Sequence, residues 1–562
     1  MMSEDTKGLY LAVLLSIAVI FLSNIFLPKK PDQPQPEKTA VINAIEKGQS
    51  KAQEKTDDVK IDTETFISIQ DALDADKRIK ISNSAVSGSI RVKGLRIDDL
   101  LLSKYKQTLS PESPNVELLY PGKTHRAYYA DFGWTTTDQD IKLPTSETVW
   151  EVVEGSELTP QTPIVLRWEN GQGFTFITKI SIDDNYMFGI EQSVNNQSDK
   201  TIVLYPYGLI HKNRFFDADN NAVVHQGAIG VLNRVLEEFK YKDLEKTREL
   251  KTTGGWAGFS DRYWFTAFVL DNKTDYQIKF TQTAENKFQA DYIGDAQSLS
   301  PNMTTNSKVN FFSGAKEIKL LDRYSKDYQI EKFDLAVDFG WYYFLTKPFF
   351  YVLDFLYDLI GNMGWSILLF AAILRLLMFP VANKSYESMS RMKKLQPKIQ
   401  ELQGRYGDDK QKLQMETMNL YKKEKINPAS GCLPMFIQIP VFFSLYKVLN
   451  FAIEIRHAPF VGWIKDLSAP DPLTLSVLLH IPVPALLNIG IWPIIMGLTM
   501  FIQQKLNPSP ANKDQARVFA MMPVIFTFML GHFAAGLVIY WTLSNVLSII
   551  QQRAIMKKNG VS

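Results

Sequence analysis

Hydrophobic and polar positions alternate in short runs over residues 61–335, a pattern that favours β-strands. Two such runs, 163–182 and 263–283, contain Asn-Gly or Asp-Asn turn signals between their halves. Many short strands with polar turns are typical of a β-sandwich. We therefore predict a β-sandwich domain over residues 61–335, with one helix on it at residues 232–246.

Long apolar runs mark the rest of the chain. They cover roughly residues 8–27, 362–381, 434–452, 484–504, 518–533 and 535–552. A run of about 20 apolar residues can cross the hydrocarbon core of a bilayer. The pattern predicts a polytopic α-helical membrane protein with six transmembrane helices, of which the five in residues 362–562 form the core.

The first apolar run, Gly8–Leu27, carries no charge. A cleaved signal peptide is the alternative interpretation, with a shorter apolar region of about 7–15 residues and a small-residue cleavage site. The run ends in NIFLPKK, which has no such site, so we predict an uncleaved anchor at residues 1–28. Residues 29–60 are rich in proline and polar residues, which predicts a flexible linker.

Residues 336–361 form an aromatic segment with few charges. Lys347, Asp354 and Asp358 fall on one face of a helix there. A helix with a narrow polar face and many aromatic residues lies in the membrane interface. An ordinary spanning helix is the alternative, which the two aspartates disfavour.

The loop charges predict which side of the membrane each loop faces. The whole chain is nearly balanced, with 62 basic and 60 acidic residues, which does not favour sequence-specific nucleic-acid binding. Residues 382–426, 505–517 and 553–558 are net basic, whereas residues 453–482 are slightly acidic. By the positive-inside rule, the three basic segments and both termini are cytoplasmic and the large domain is outside.

The basic loop has a helical pattern of its own. Its apolar residues recur at spacings of three and four, at Met389, Met392, Leu395, Ile399 and Leu402. The sequence GRYGDD interrupts this pattern, and residues 410–425 resume it. We predict an antiparallel helical hairpin over residues 383–425 with a basic surface. A hairpin whose charges are merely solvated is the alternative.

Catalytic motifs are nearly absent. The six histidines are scattered, and the single cysteine, Cys432, excludes an intramolecular disulfide. Ser444 and Lys447 have the S-x-x-K spacing of some hydrolases, but a lysine near the end of a span is also explained by snorkelling. We predict no catalytic residue, no metal ligand and no cofactor.

Arg375 lies inside an apolar span, where an arginine costs about 2.5–3.5 kcal/mol. None of the last five spans contains Asp or Glu, so no span offers it a carboxylate. We predict a wet, positively charged cavity open to the cytoplasm, and snorkelling to the surface is the alternative. Four further polar side chains of the spans can line this cavity: Gln438, Asn488, Ser544 and Asn545.

Several long stretches of the chain together resemble one known family. They are WSILLFAAILRLLMFPVANKSYESMSRMKKLQPKIQEL, INPASGCLPMFIQIPVFFSLYKVL, HAPFVGWIKDLSAPDP and MMPVIFTFMLGHFAAGLVIYWTLSNVLSIIQQ. With the anchor and the large domain, they are similar to the YidC membrane protein insertases of the Oxa/Alb superfamily, in the Gram-negative form with a large periplasmic domain. The resemblance covers nearly the whole chain.

The resemblance implies a function and a cellular location. Such proteins lie in the bacterial inner membrane and insert and fold nascent membrane proteins, alone or with the Sec translocon, without nucleotide or metal. It implies that Arg375 lies in a hydrophilic groove and that Tyr540 and Trp541 contact the substrate, which slides into lipid along the third and fifth core helices.

The resemblance also implies a role for the basic hairpin, which would receive the chain that emerges from the ribosome. The basic side chains that we assign to this recruitment are Arg391, Lys393, Lys394, Lys398, Lys422 and Lys423. The implied partners are nascent substrates, the Sec translocon, the ribosome in transient contact, and the lipid bilayer.

Two other function classes compete with insertion. A small-anion transporter or channel would use Arg375 as its binding charge, but we find none of the internal repeats that transporters usually show. A passive scaffold would tolerate replacement of Arg375.

The loop charges generate a prediction about topology. Reporter fusions at residues 200 and 465 should give signals from outside the cytoplasm, and fusions at residues 405, 510 and 560 should give cytoplasmic signals, because basic loops are retained inside. Alkaline phosphatase and green fluorescent protein fusions measure the two cases. A cytoplasmic signal at residue 200 would contradict the proposed orientation of the whole chain.

Overall fold

The computed structural model of the chain describes residues 66–214, 224–406, 409–426, 433–508 and 513–560. The predicted anchor at residues 1–28 and the linker at residues 29–60 lie outside the described residues. The helices are α1 Ile69–Asp74, α2 Ile318–Asp327, α3 Tyr343–Ile360, α4 Met363–Lys394, α5 Gln396–Tyr406, α6 Lys410–Lys423, α7 Leu433–Phe451, α8 Leu475–Leu479, α9 Ile491–Leu506, α10 Lys513–Leu530 and α11 Ala535–Lys558.

The amino-terminal part of the described chain is a domain of 18 strands, which we call the β-domain. The strands are β1 Arg78–Ser82, β2 Val86–Arg91, β3 Arg96–Lys106, β4 Asn115–Leu119, β5 Tyr128–Thr136, β6 Glu151–Glu154, β7 Glu157–Leu158, β8 Ile164–Glu169, β9 Phe174–Ile182, β10 Met187–Asn196, β11 Ile202–Asn213, β12 Gly227–Leu232, β13 Val235–Lys240, β14 Arg248–Ser260, β15 Trp264–Ala284, β16 Lys287–Gly294, β17 Gln297–Leu299 and β18 Thr304–Ala315.

The long strand β15 joins the two layers of the β-domain. Its first residues pair with β18, which continues through β10, β9 and β8. Its last residues pair with β16, which continues through β11 and β5. The layers face each other, since the ring of Phe132 on β5 lies 5.6 Å from that of Phe311 on β18. Alternating apolar residues therefore fill a core between two sheets.

The prediction of a helix at residues 232–246 is wrong. Leu232 ends β12 and pairs with Val235, the first residue of β13. Asn233 and Arg234 between them have φ of 48° and 69°, as the two central residues of a type I′ hairpin turn require. A 3-10 turn at Tyr241–Glu245 follows the hairpin. The apolar spacing that looked helical belongs to a strand pair.

Helices α4, α7, α9, α10 and α11 cover the five predicted core spans. By length and composition, α4 alone among the described helices is long and apolar enough to cross a membrane, and Phe436–Phe451 and Ala516–Leu530 form shorter apolar helices. Helix α4 continues without a break to Lys394 and includes Pro380. The third span begins later than expected, at Ile491 rather than at residue 484.

Helices α5 and α6 follow α4 and contain the basic segment. Met392, Leu395 and Ile399 form a small apolar cluster with Ile426, and Met389 packs against it. Leu402 is not part of this cluster. Helix α6 begins after GRYGDD, where the carboxylate of Asp409 caps the amide of Lys412 at 2.9 Å.

Helix α3 docks on the β-domain through its polar face. The Nζ atom of Lys347 lies 2.8 Å from Asp322 and 2.6 Å from Asp334. On the same face, Asp354 and Asp358 both pair with Lys319 of α2. The three charges that share one face of α3 are therefore paired with the segment that follows β18.

The other faces of α3 are apolar. Phe349 is buried and contacts Phe370 of α4, with ring centroids 4.9 Å apart. Phe344, Phe355 and Leu359 are largely exposed. Helix α3 thus lies between the β-domain, the core helices and an apolar surface that the described residues leave open.

Further polar contacts join the β-domain to the core helices. The guanidinium of Arg262 donates to the carbonyl of Asn450 at 2.8 Å, and Lys447 pairs with Asp338 at 2.7 Å. The carboxylate of Glu454 accepts from the amide of Ile318 at 3.4 Å. Burial raises the pKa of Glu454 to about 7, because desolvation disfavours the charged form of its carboxyl group.

The docking of α3 predicts the effect of one substitution. Lys347→Met removes the cation between two largely buried carboxylates, which should destabilise the protein by about 2 kcal/mol, since breaking a part-buried pair leaves charge uncompensated. Lys308→Met is the control, because its partner Glu191 is exposed and such pairs contribute less than about 1 kcal/mol. Thermal unfolding in detergent measures both. Equal effects would show that α3 does not depend on these charges.

Candidate functional site

Arg375 lies on the side of α4 that faces α11. Its Nη2 atom donates to the carbonyl oxygen of Ser544 at 2.9 Å, to the hydroxyl of Ser544 at 3.0 Å, and to the hydroxyl of Ser548. The Nε atom of Arg375 is buried without a hydrogen-bond partner. One helix therefore solvates part of the guanidinium with neutral oxygen atoms and leaves one donor unused.

The opposite face of α4 is apolar at the same depth. Leu376 and Leu377 are each 71% exposed, while the side chain of Arg375 is half-buried. Helices α7, α9 and α11 contain no Asp or Glu, so none of them can offer Arg375 a carboxylate. The guanidinium keeps its positive charge uncompensated by any acid of these helices.

Helix α11 carries a row of buried polar side chains, which we call the α11 polar stripe. Its members recur every four residues, at Tyr540, Ser544, Ser548 and Gln552. Residues at this spacing share one side of a helix. Small serine side chains in the middle of the stripe leave room for the arginine of the neighbouring helix.

Two predicted residues extend this site towards α7. The amide of Gln438 donates to the hydroxyl of Tyr540 at 3.0 Å. The ring of Trp541 contacts Phe442 of α7 and Phe526 of α10, at centroid distances of 4.7 and 6.0 Å. Tyr540 therefore belongs to the polar stripe, whereas Trp541 packs among apolar rings.

The remaining two predicted residues differ in position. The side chain of Asn545 is buried and donates to the hydroxyl of Thr499 on α9 at 3.1 Å. Asn488 precedes α9 instead, and its side chain accepts from the backbone amide of Ser476 at 3.0 Å. Because Asn488 lies in the connection before α9 and caps a turn there, it does not join the polar side chains around Arg375.

Sequence reasoning missed three polar residues of this site. They are Ser548, Gln552 and Thr499. Gln552 donates to the side chain of Asn507 at 3.0 Å. The four-residue spacing from Ser544 would have identified Ser548 and Gln552, whereas nothing in the spacing of α9 singles out Thr499.

Ser444 and Lys447 do not form a catalytic pair. Lys447 is bound to Asp338, and the buried hydroxyl of Ser444 has no hydrogen-bond partner. Within the part of the chain that the structure describes, no group of His, Cys, Asp and Glu is arranged to hold a metal ion.

The six basic residues assigned to recruitment lie at the far end of α4 and on the two helices after it. Arg391, Lys393 and Lys394 occupy the last turn of α4, and Lys422 and Lys423 the last turn of α6. All but Lys393 are exposed. Lys398 of α5 pairs with Glu424 at 3.1 Å. This region presents a basic surface.

The contact between Arg375 and α11 generates a prediction. Arg375→Met and Ser548→Ala should be non-additive in a double-mutant cycle, with a coupling of about 1–2 kcal/mol, because hydrogen bonds to charged groups contribute about this much. Thermal unfolding of the four proteins in detergent measures the coupling. Ser366→Ala is the control, since its hydroxyl bonds to Asn362 near the start of α4. Equal coupling in both cycles would contradict a direct contact.

Comparisons with known proteins agree with the resemblance found in the sequence. Residues 355–561 match the family model described as 60Kd inner membrane protein, and residues 78–352 match the model of the YidC periplasmic domain.

Similar curated proteins are named membrane protein insertase YidC. The protein from Rickettsia bellii is 45% identical over 99% of this chain and all of its own length, and that from Rickettsia rickettsii (strain Sheila Smith) is 44% identical with the same coverage. A solved structure described as an active YidC insertase with the first transmembrane domain resolved covers 84% of this chain and 92% of its own, with 17% identity and a TM-score of 0.36. The chain belongs to the YidC family of membrane protein insertases.

Proposed function

We propose that the chain inserts membrane proteins through a hydrophilic groove centred on Arg375 and bounded by α4, α7, α9 and α11. The observation that carries this proposal is the partly solvated arginine, whose Nε atom has no partner and whose neighbouring helices contain no acid. A permanent ion pair would neutralise the site, whereas an arginine held only by neutral oxygens can attract a passing anion.

The proposed orientation places the groove open to the cytoplasm. The basic segments at residues 382–426, 505–517 and 553–558 would lie inside the cell, and the periplasmic β-rich domain outside. In this arrangement the chain has six spans, including the anchor at residues 1–28, and five of them form the core. Helix α3 would lie in the outer interface, since its exposed Phe344, Phe355 and Leu359 suit the acyl chain boundary.

The groove would lower the barrier for a polar client segment by hydrating it. The α11 polar stripe presents hydroxyl and amide groups at several depths, and these groups can bind the polar client segment or water molecules around it. Arg375 would favour segments that carry Asp or Glu, because opposite charges attract more strongly where water is partly excluded. The membrane potential would also pull acidic segments outward.

The apolar part of the client would move from the groove into lipid along an apolar surface of the core helices. The third and fifth core helices, α9 and α11, would form this surface. Ile494, Leu498 and Phe501 of α9 are exposed, and α9 contacts α11 through Thr499 and Asn545. A hydrophobic segment that slides along α9 and α11 would keep its apolar side chains in contact with lipid or with these side chains while its polar neighbour stays in the groove.

Short core helices would assist by thinning the bilayer. Helix α9 has 16 residues, about 24 Å at 1.5 Å per residue, and α10 has 18. The usual hydrocarbon core is about 30 Å thick. Lipid around short spans becomes thinner, which shortens the path of the client.

The basic hairpin would make the first contact with a client that leaves the ribosome. Its exposed Arg391, Lys394, Lys422 and Lys423 suit transient binding of acidic surfaces such as ribosomal RNA. The Sec translocon is a further proposed partner, for clients with large translocated domains. Both partners rest on the family to which the chain belongs.

Substitution of Arg375 tests the proposed role of its charge. Arg375→Lys should retain most insertion, whereas Arg375→Ala and Arg375→Glu should lose it, because attraction of an acidic segment needs a cation more than it needs the guanidinium shape. The loss should be greatest for a client with acidic residues in its translocated tail. Insertion into vesicles of paired clients, identical except for an acidic or a neutral tail, measures this difference.

The control is Arg553→Ala, which removes an exposed charge from the end of α11 outside the groove. It should insert both clients like the unaltered protein. Stability should fall little in Arg375→Ala, because relief of the cost of a charge in a membrane helix offsets the lost hydrogen bonds to α11. If Arg375→Ala inserts both clients at the original rate, the arginine does not have the role proposed.

A further inference from the structure

The segment between α7 and α9 contains an apolar hairpin, residues 475–488, which we call the 475–488 hairpin. Two backbone hydrogen bonds close its base, from Leu475 to the carbonyl of Ile489 and from Ile491 to the carbonyl of Leu473, both at 3.1 Å. Helix α8 forms its first arm. Five of its apolar side chains are between 44% and 54% exposed: Val477, Leu478, Leu479, Ile481 and Leu487.

The polar groups of the hairpin are concentrated at its base. The side chain of Asn488 accepts from the amide of Ser476, and the hydroxyls of Thr474 and Ser476 lie 3.0 Å apart. Pro482 and Pro484 near the tip have no amide hydrogen to satisfy. The outer part of the hairpin therefore presents mainly hydrocarbon, with His480 as the ionisable side chain at its tip.

The charge pattern of the surrounding chain favours lipid as the covering partner. Residues 472–504 contain no Asp, Glu, Lys or Arg, although connections in water are usually polar. The hairpin leads directly into α9, whose Leu498 and Phe501 are exposed on the surface of a membrane helix. One uncharged apolar surface thus continues from the helix onto the hairpin.

A protein partner fits this surface less well. Interfaces between proteins usually combine an apolar centre with a polar rim and about one hydrogen bond per 100–200 Å². The exposed side chains of the hairpin offer His480 as their polar group, whereas an apolar segment in the headgroup boundary needs no such partner.

The contacts beside the hairpin indicate which leaflet it meets. Ser468, seven residues before Leu475, accepts from Arg262 of the β-domain at 3.5 Å. Asp471 anchors the base, since it accepts from the amide of Trp492 at 2.8 Å and from the indole of Trp463 at 2.9 Å. We propose that the 475–488 hairpin is embedded in the membrane leaflet on the side of the β-domain, next to α9.

Spin labelling of the full chain in lipid vesicles tests this proposal. In a Cys432→Ser background, nitroxide labels are attached at Leu478→Cys, at the lipid reference Leu498→Cys and at the water reference Val149→Cys, whose native side chain is 68% exposed on the β-domain. Collision with oxygen, which concentrates in lipid, is compared with collision with a water-soluble nickel chelate. The label at 478 should match that at 498 and exceed the oxygen-to-nickel ratio at 149 severalfold.

Two results would overturn the proposal. A ratio at 478 equal to that at 149 would mean that the hairpin is in water, and protection from both reagents would mean that a second copy of the chain covers it. A label at Ile481→Cys, on the other side of the tip, repeats the measurement if Leu478→Cys fails to fold.

Discussion

The solvation of one guanidinium within an apolar helix is the constraint on which the core of this protein depends. Arg375 costs a few kcal/mol in a membrane helix, and α11 offsets part of that cost with a carbonyl and two hydroxyls. This contact requires α4 and α11 to lie side by side, and the small serines of the stripe permit the approach. Gln438 of α7 then bonds to Tyr540 of this row, and Thr499 of α9 bonds to Asn545 beside it.

A second set of charges fixes the β-rich domain to the membrane part. The polar face of α3 pairs with Lys319, Asp322 and Asp334, and Arg262 and Asp338 reach core residues directly. In this family the domain is periplasmic. Its junction with the helices contains part-buried ion pairs, such as Lys347 with Asp334 and Lys447 with Asp338, and removal of one partner would leave the other charge uncompensated.

Much of this arrangement could be predicted from periodicity, and the misses have physical causes. The apolar spans and the strand-rich region were readable because burial imposes regular patterns on long segments. The hairpin at Asn233 and Arg234 was read as a helix, since its short strands carry apolar residues at helical spacings. Asn488 was assigned to the groove because the apolar run before α9 continues without a charge, although Pro482 and Pro484 keep it from being helical. Ser548 could have been predicted from Ser544, because it lies four residues further along α11 and therefore on the same side of the helix.

The continuity of α4 has a mechanical consequence. A single helix of 32 residues carries both Arg375 and the basic residues of its last turn, Arg391, Lys393 and Lys394, so no loop separates the two. Pro380 lies five residues beyond the arginine and has no amide to offer the carbonyl of Leu376. Bending is easiest at such a proline, which places a point of bending between Arg375 and the basic end of α4. The basic end of α4 can therefore tilt while Arg375 keeps its hydrogen bonds to Ser544 of α11.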